Sequence, residues 1–124
     1  FWTVHDALHE YSANEIRAFL ISTQYSKPQA FDDSSLEEGR RRFERLENAL
    51  ENCEEAMDSH DARAKIEDDD LRTAVEEARA GFEEAMDDDF NTPEALAALF
   101  ELANAVNSHT EKDEYDYQGL FRAW

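Results

Sequence analysis

An all-α fold, an antiparallel helical bundle preceded by two short helices, is the class that this 124-residue chain predicts. Three observations predict it. Apolar residues recur at three- and four-residue spacings along most of the chain, which lines them up on one face of a helix and not along a strand. Helix-start signals stand ahead of those runs: Thr3 with Asp6, and Ser12 with Glu15, are pairs in which a hydroxyl and a carboxylate three residues apart satisfy each other's backbone amides. Punctuation is sparse, since Gly39, Gly81 and Gly119 are isolated and only Pro28 and Pro93 interrupt the chain.

Taken in order, Thr3 opens a short helix over residues 4 to about 11, carrying Val4, Ala7, Leu8 and Tyr11. Ser12 opens a second, with Ile16, Phe19, Leu20 and Thr23, so the two meet at a tight corner. Residues 25–33 contain Pro28 and no periodicity, and read as an irregular connector. From Ser34 a longer repeat begins. Leu36, Phe43, Leu50 and Met57 stand seven apart with Gly39, Leu46 and Cys53 between them, the seam of a helix of about six turns in a bundle. Residues 59–70, with His60, Lys65 and three successive aspartates, read as a polar connector. Leu71, Val75, Ala78, Phe82 and Met86 make the next amphipathic helix, antiparallel to the last if the connector is compact, and its partner is the helix starting at Pro93.

Asp87, Asp88 and Asp89 then lead through Phe90 and Asn91 to Thr92, whose hydroxyl is placed to cap a helix starting at Pro93, where no backbone donor is needed. Leu96, Leu99, Ala103 and Val106, widened by Phe100, form its buried stripe. After Asn107 the string SHTEKDEYD reads as a connector, and Tyr117, Leu120, Phe121 and Trp124 as the opening of a truncated last helix. The organisation expected is a connecting segment over 1–33 and a bundle over 34–124.

Charge is the feature that most constrains function. The chain carries −19 formal charges, with 31 acidic residues against 12 basic ones, and Lys27, Lys65 and Lys112 are its lysines. A nucleic-acid surface ordinarily needs clustered Lys and Arg. Acid spread along every helix is what a salt-adapted, halophilic protein displays, because at about 1 M salt the screening length falls to roughly 3 Å and repulsion of phosphates is muted. Cys53 is the single cysteine, so no internal disulfide forms. No apolar run approaches the roughly 20 residues of a membrane span, and a cytoplasmic protein without membrane partners is expected.

Candidate sites are few. His5 and His9 stand four apart but lack further ligands of the right type, and read as surface histidines. Asp68 to Asp70 and Asp87 to Asp89 lack the spacing of a calcium loop, so they read as charge loaded onto the positive ends of the helices at Leu71 and Pro93. Arg40, Arg41, Arg42 and Arg45 form the one basic cluster. They either pair along the helix with Glu37, Glu38 and Glu44 or offer phosphate contacts. No nucleophile–base pair or phosphate loop can be assembled, and no metal or cofactor site is expected within the chain.

The string MDDDFNTPEALAALFELANAVN, residues 86–107, closely resembles a segment of the helical domain of cysteinyl-tRNA synthetases, F-x-x-A-M-D-D-D-F-N-T-P-x-A and then an apolar helix. Phe82, Ala85, Met86, Asp87, Asp88, Asp89, Phe90, Asn91, Thr92, Pro93, Ala95 and Asn107 carry the match. Residues 1–46 resemble the stretch just after the KMSKS-type loop in the same enzymes, through the Thr3-to-Asp6 start, the helix around Arg17, Phe19 and Leu20, and the turn at Tyr25. Where the family typically has H-Y-R, this chain reads Gln24, Tyr25, Ser26, with Lys27 one place later. The resemblance implies a DALR-type anticodon-binding bundle that binds cysteine-specific tRNA, with Arg17, Tyr25, Lys27, Arg41 and Arg45 as the candidate contacts. It also implies a monomeric parent whose catalytic domain, with its ATP and zinc, lies outside this chain. The alternative left open by the residues is a helical interaction module whose Leu36-to-Met57 seam takes a partner helix without RNA.

Overall fold

A computed structural model of the chain describes residues 2–59, 66–112 and 114–124. Among the described residues six helices succeed one another: α1 (Val4–Ala7), α2 (Ala13–Ile21), α3 (Asp33–Asp58), α4 (Asp69–Asp87), α5 (Thr92–Thr110) and α6 (Tyr117–Ala123). The all-α bundle is what the periodicity predicts, and no strand occurs among the described residues. His60 and Lys65, assigned to the polar connector, lie outside them.

The local start signals act as the spacing predicts. Thr3 Oγ1 accepts the Asp6 amide while the Asp6 carboxylate takes the Thr3 amide, and Ser12 and Glu15 repeat the device. α1 is shorter than expected, a single turn ending at Ala7, because the chain turns to bury Ala7 and Tyr11 against α2 and α3. Asp32 caps α3 through the Ser35 amide. This sets the helix start at Asp33, one residue earlier than the repeat suggested.

α3 also departs from a strict seven-residue seam. Leu36, Gly39 and Cys53 are buried, but Leu50 is exposed and Ala49 and Ala56 are buried in its stead. The partner at each level, and not a fixed heptad register, sets which residues of α3 are buried. The stripe is filled by α2 at one end and by α5 and α6 at the other. It is therefore not a free seam for a partner helix.

α4 and α5 form the most extensive pairing, with Gly81 close to Ala98, and α3 packs on α5. α5 is thus the central helix of the bundle, and α4 lies chiefly against it, the partner that the sequence reading gave it. On α4 the buried residues are Leu71, Val75, Ala78 and Ala85, with Phe82 left exposed. α5 buries Ala95, Leu96, Ala103, Val106 and also His109, two residues past the point where the sequence read a connector. Of the residues read as opening the last helix, Leu120 is fully buried, Tyr117 and Phe121 are exposed, and Trp124 stands exposed just past the end of α6.

Two apolar clusters result. Ala7, Tyr11, Ile16, Phe19 and Leu36 fill the amino-terminal end, and Cys53, Ala56, Leu71, Val106 and Leu120 the carboxyl-terminal end. α3 runs through both. At 1.5 Å per residue its 26 residues span about 39 Å.

Candidate nucleic-acid interface

The four arginines of the α3 cluster are divided by the fold. Arg40 turns inward: its guanidinium donates to the Glu10 carbonyl at 2.6 Å and to Glu15 at 3.2 Å, and it lies 4.5 Å over the Tyr11 ring. It clasps the α1–α2 corner to α3. Arg42 pairs with Glu38 one turn earlier. Arg40 also lies 3.5 Å from Glu37, so these two match the pairing reading of the cluster. Arg41 reaches the Glu37 carbonyl at 3.4 Å and stays exposed. Arg45 crosses to α5, donating to Asn104 at 2.7 Å with its charge 5.1 Å from the Phe100 ring centre. Arg41 and Arg45 sit one turn apart on the α3 edge that faces α5.

Arg17 lies on α2, exposed, and donates to Asn14 at 2.8 Å. Lys27 is exposed in the connector beyond that helix. The structure displays Arg17, Lys27 and Arg41 on three different elements. Tyr25 is different, because its hydroxyl donates to Asp89 Oδ1 at 2.9 Å across 64 residues of sequence. That bond raises the Tyr25 phenol above its ordinary value, and joins two of the sequence-predicted site residues.

The DDDFNTP segment corrects the sequence reading in two ways. Asp87 ends α4 and Asp88 caps it, so the acidic run closes one helix more than it opens the next. Asp89 and Phe90 both take left-handed backbone, φ 53° and 52°, which reverses the chain. Asn91 is then the boundary residue of α5, without a side-chain cap, while Thr92 and Pro93 already lie inside the helix. Thr92 is therefore the first helical residue and not the cap, and its amide donates to the Phe90 carbonyl at 2.8 Å. Left-handed backbone at a phenylalanine is costly, and sequence patterning does not announce it.

A buried polar network at the carboxyl-terminal end was also not foreseen. Asp116, 1% exposed, accepts from Arg72 at 2.6 and 3.1 Å, from the Asp68 amide at 2.9 Å and from the Gly119 amide at 2.9 Å. Arg72, and after it the two amides, hold the Asp116 carboxyl well below the usual range. His109 bridges the ends: Nδ1 lies 2.7 Å from Asp68 Oδ2, and Nε2 accepts the Asp116 amide at 2.7 Å. A nitrogen that accepts leaves the proton on Nδ1, facing the Asp68 carboxylate. The Lys112 ammonium, joined by the Leu71 amide and His109, holds Asp68 at about 2 against the opposing effect of burial. Asp68 does cap α4 as the charge-loading reading held, through the Asp70 and Leu71 amides. The network ties the starts of α4 and α6 to the end of α5.

Neither constellation is a catalytic apparatus. Among the described residues no group of three or more His, Cys, Asp or Glu has the arrangement to hold a metal ion. His5 and His9 meet edge to face at 5.2 Å. Cys53 is buried against the Leu120 carbonyl, and burial pushes its thiol up to about 11. Among the described residues no helix is long and apolar enough to cross a membrane.

Comparison with known proteins decides what the surface belongs to. Residues 81–124, from the middle of α4 through α6, match the DALR domain. Over 99% of its length the chain is 47% identical to the cysteine–tRNA ligase of Haloarcula marismortui and 48% identical to that of Halobacterium salinarum. The chain belongs to the cysteine–tRNA ligase family. A bacterial cysteine–tRNA ligase, from Desulfitobacterium hafniense, is 40% identical over the same share. The chain spans about a quarter of the length of these cysteine–tRNA ligases. Two of these relatives come from halophilic archaea, which fits the acid-rich composition read as salt adaptation.

Proposed function

We propose that the chain is the tRNA-docking helical part of a cysteine–tRNA ligase, a cytoplasmic and monomeric enzyme that joins cysteine to its tRNA at the expense of ATP. The single observation that carries this reading is 47% identity across 99% of the chain to a cysteine–tRNA ligase. Residues 1–33 make the segment that meets the tRNA near its inner corner, and 34–124 the domain directed at the anticodon side. The unbroken length of α3, clasped at one end by Arg40 and built into the bundle core at the other, supports a spacer role. A stiff spacer fixes the separation of two tRNA-contacting ends, and so orients the acceptor end for reaction.

Arg17, Tyr25, Lys27, Arg41 and Arg45 are the residues assigned to tRNA. Exposure supports them, since all five present their side chains to solvent. Asp88 to Pro93 serve as a structural corner in this reading. Among the described residues no group of three or more His, Cys, Asp or Glu is arranged to hold a metal ion, and in this reading zinc and ATP belong to the catalytic part of the parent. The test is aminoacylation by the full polypeptide encoded in the same reading frame. Formation of cysteinyl-tRNA that requires ATP supports the reading, and a polypeptide that forms none with any tRNA overturns it.

A further inference from the structure

In a chain of charge −19, the edge where α3 and α5 run side by side carries no acid along its two facing rows. Steps of three and four residues place Arg41, Arg45, Asn48 and Asn52 in one row on α3, a run of about 16 Å that Glu37 and Glu55 close at either end. Phe100, Asn104 and Asn107 make the facing row on α5. Two bonds join the rows: Arg45 donates to Asn104 at 2.7 Å and Asn52 to Asn107 at 2.9 Å.

Asparagine is concentrated on this edge. Four of the chain's six asparagines stand in these rows, although a short amide competes with the backbone and makes asparagine a poor choice in a helix interior. Helix stability does not select them. Asn48, Asn52 and Asn104 are exposed, and the bond between Asn52 and Asn107 leaves the Asn52 oxygen and the Asn107 amino group to a partner outside the chain. The two arginines follow the same pattern. Their described hydrogen-bond partners are the Glu37 carbonyl and the Asn104 amide oxygen, neither of them a carboxylate, in a chain with 31 acidic residues. The Phe100 ring, 5.1 Å away, holds the Arg45 charge in place.

From this we infer that the Asn48, Asn52, Asn104 and Asn107 amides meet the minor groove of a tRNA stem and exchange hydrogen bonds with its ribose 2′-hydroxyls, while Arg41 and Arg45 reach flanking phosphates. The inference deepens the tRNA-docking reading and rests on it. An A-form stem presents a wide, shallow minor groove lined by 2′-hydroxyls, each a donor and an acceptor, which a row of amides can match. A protein helix laid on this edge would need apolar anchors, and the rows offer it only the half-buried Phe100. Neutral amides neither repel phosphate nor depend on released counterions, so their bonds persist at salt levels that weaken every contact between arginine and phosphate. For an acid-rich chain in strong salt, the amides supply the affinity that remains.

The test measures binding of cysteine tRNA to the full-length polypeptide, unaltered and with Asn48→Ala plus Asn52→Ala, at about 0.2 M and about 2 M potassium chloride. Asn104 is kept, so Arg45 retains its acceptor. The double change is expected to weaken binding about tenfold at both salt levels, the loss of two hydrogen bonds, and to leave the logarithmic salt dependence unaltered. A second tRNA carrying 2′-deoxyribose at its stem positions separates contact from structure. It should bind the unaltered polypeptide more weakly by a similar factor and lose nothing further on the double change. Unaltered affinity after the double change, a loss confined to the lower salt level, or an equal further loss with the deoxyribose tRNA overturns the inference. Should the double change prevent folding, Asn48→Ala alone, at an exposed position where alanine favours the helix, is read in the same way. The unaltered polypeptide separates the two levels: if it binds no cysteine tRNA at either salt level, the docking reading falls with the inference, whereas binding that ignores the asparagines removes the inference alone.

Discussion

The two ends of α3 are held by opposite kinds of chemistry. At the amino-terminal end α2 crosses α3 by shape: Gly39 lets the Phe19 backbone approach so closely that an added Cβ would stand 2.6 Å from Phe19 Cβ. Around that crossing lie Tyr11, Ile16 and Leu36, with Arg40 over the outside. At the carboxyl-terminal end the apolar cluster is supplemented by Asp68, Arg72, His109 and Asp116, which join three helix ends through buried hydrogen bonds. The difference teaches how a chain of charge −19 still specifies one packing. Dispersed acid stays on the outer faces, and the carboxylates that do enter the core are those with two or more donors waiting for them.

That contrast can be broken at either end. The largest effect is expected from Asp116→Ala, which strands Arg72 and leaves the Asp68 and Gly119 amides and the end of α6 without their acceptor. Removing one partner of a buried ion pair costs about 3–5 kcal/mol, and thermal unfolding tracked by circular dichroism should show the midpoint fall accordingly. Gly39→Ala comes next. Its Cβ would meet backbone atoms of Phe19 at 2.9 and 3.0 Å, which cannot rotate away, so an overpacking loss of about 3 kcal/mol is expected. Hydrogen exchange should show α2 losing protection before α4 and α5.

Acid distinguishes the ends without mutation. Asp68 is held at about 2 and Asp116 well below its ordinary value. Their folded values lie below the unfolded value of 3.8, so the stability they contribute is whole above about pH 4 and disappears as pH falls through about 2. For Asp68 this amounts to about 2 kcal/mol at most, and less once salt screens the half-exposed Lys112. In 1 M salt, where general repulsion is muted, the melting midpoint should drop between pH 4 and pH 2, and Asp68→Asn should flatten that drop. The smallest change is expected from Phe90→Gly. Relief of the left-handed backbone should leave stability unchanged or raise it by about 1 kcal/mol, measured by urea unfolding.

What the sequence made legible was local. The boxes at Thr3 and Ser12 act within three residues, and the caps and amphipathic faces are readable from spacing alone. The seven-residue seam of α3 failed by one position, because α2 covers the start of that helix and α5 and α6 its later part, and a change of partner is not written in the helix's own spacing. The polar network was illegible because the bonds that join the start of α4 to the rest of it span 41 to 48 residues and each member, taken singly, looks like a surface polar residue. Tyr25 was singled out through its place in a family turn, but its partner Asp89 stands 64 residues away and no pattern links them. Among the arginines, pairing with Glu37 and Glu38 was readable from three- and four-residue spacing. The inward turn of Arg40 toward Glu10 and Glu15 was not, since it depends on the α1–α2 corner.

The most direct test of the tRNA-docking role is the affinity of the full-length polypeptide for cysteine tRNA across a salt series, beside the same polypeptide with Arg41→Gln and Arg45→Gln. Binding that weakens on the double change, with the logarithmic salt dependence shallower by roughly 2, is expected if both guanidinium groups meet phosphates. Absence of cysteine-tRNA binding at every ionic strength would contradict the role.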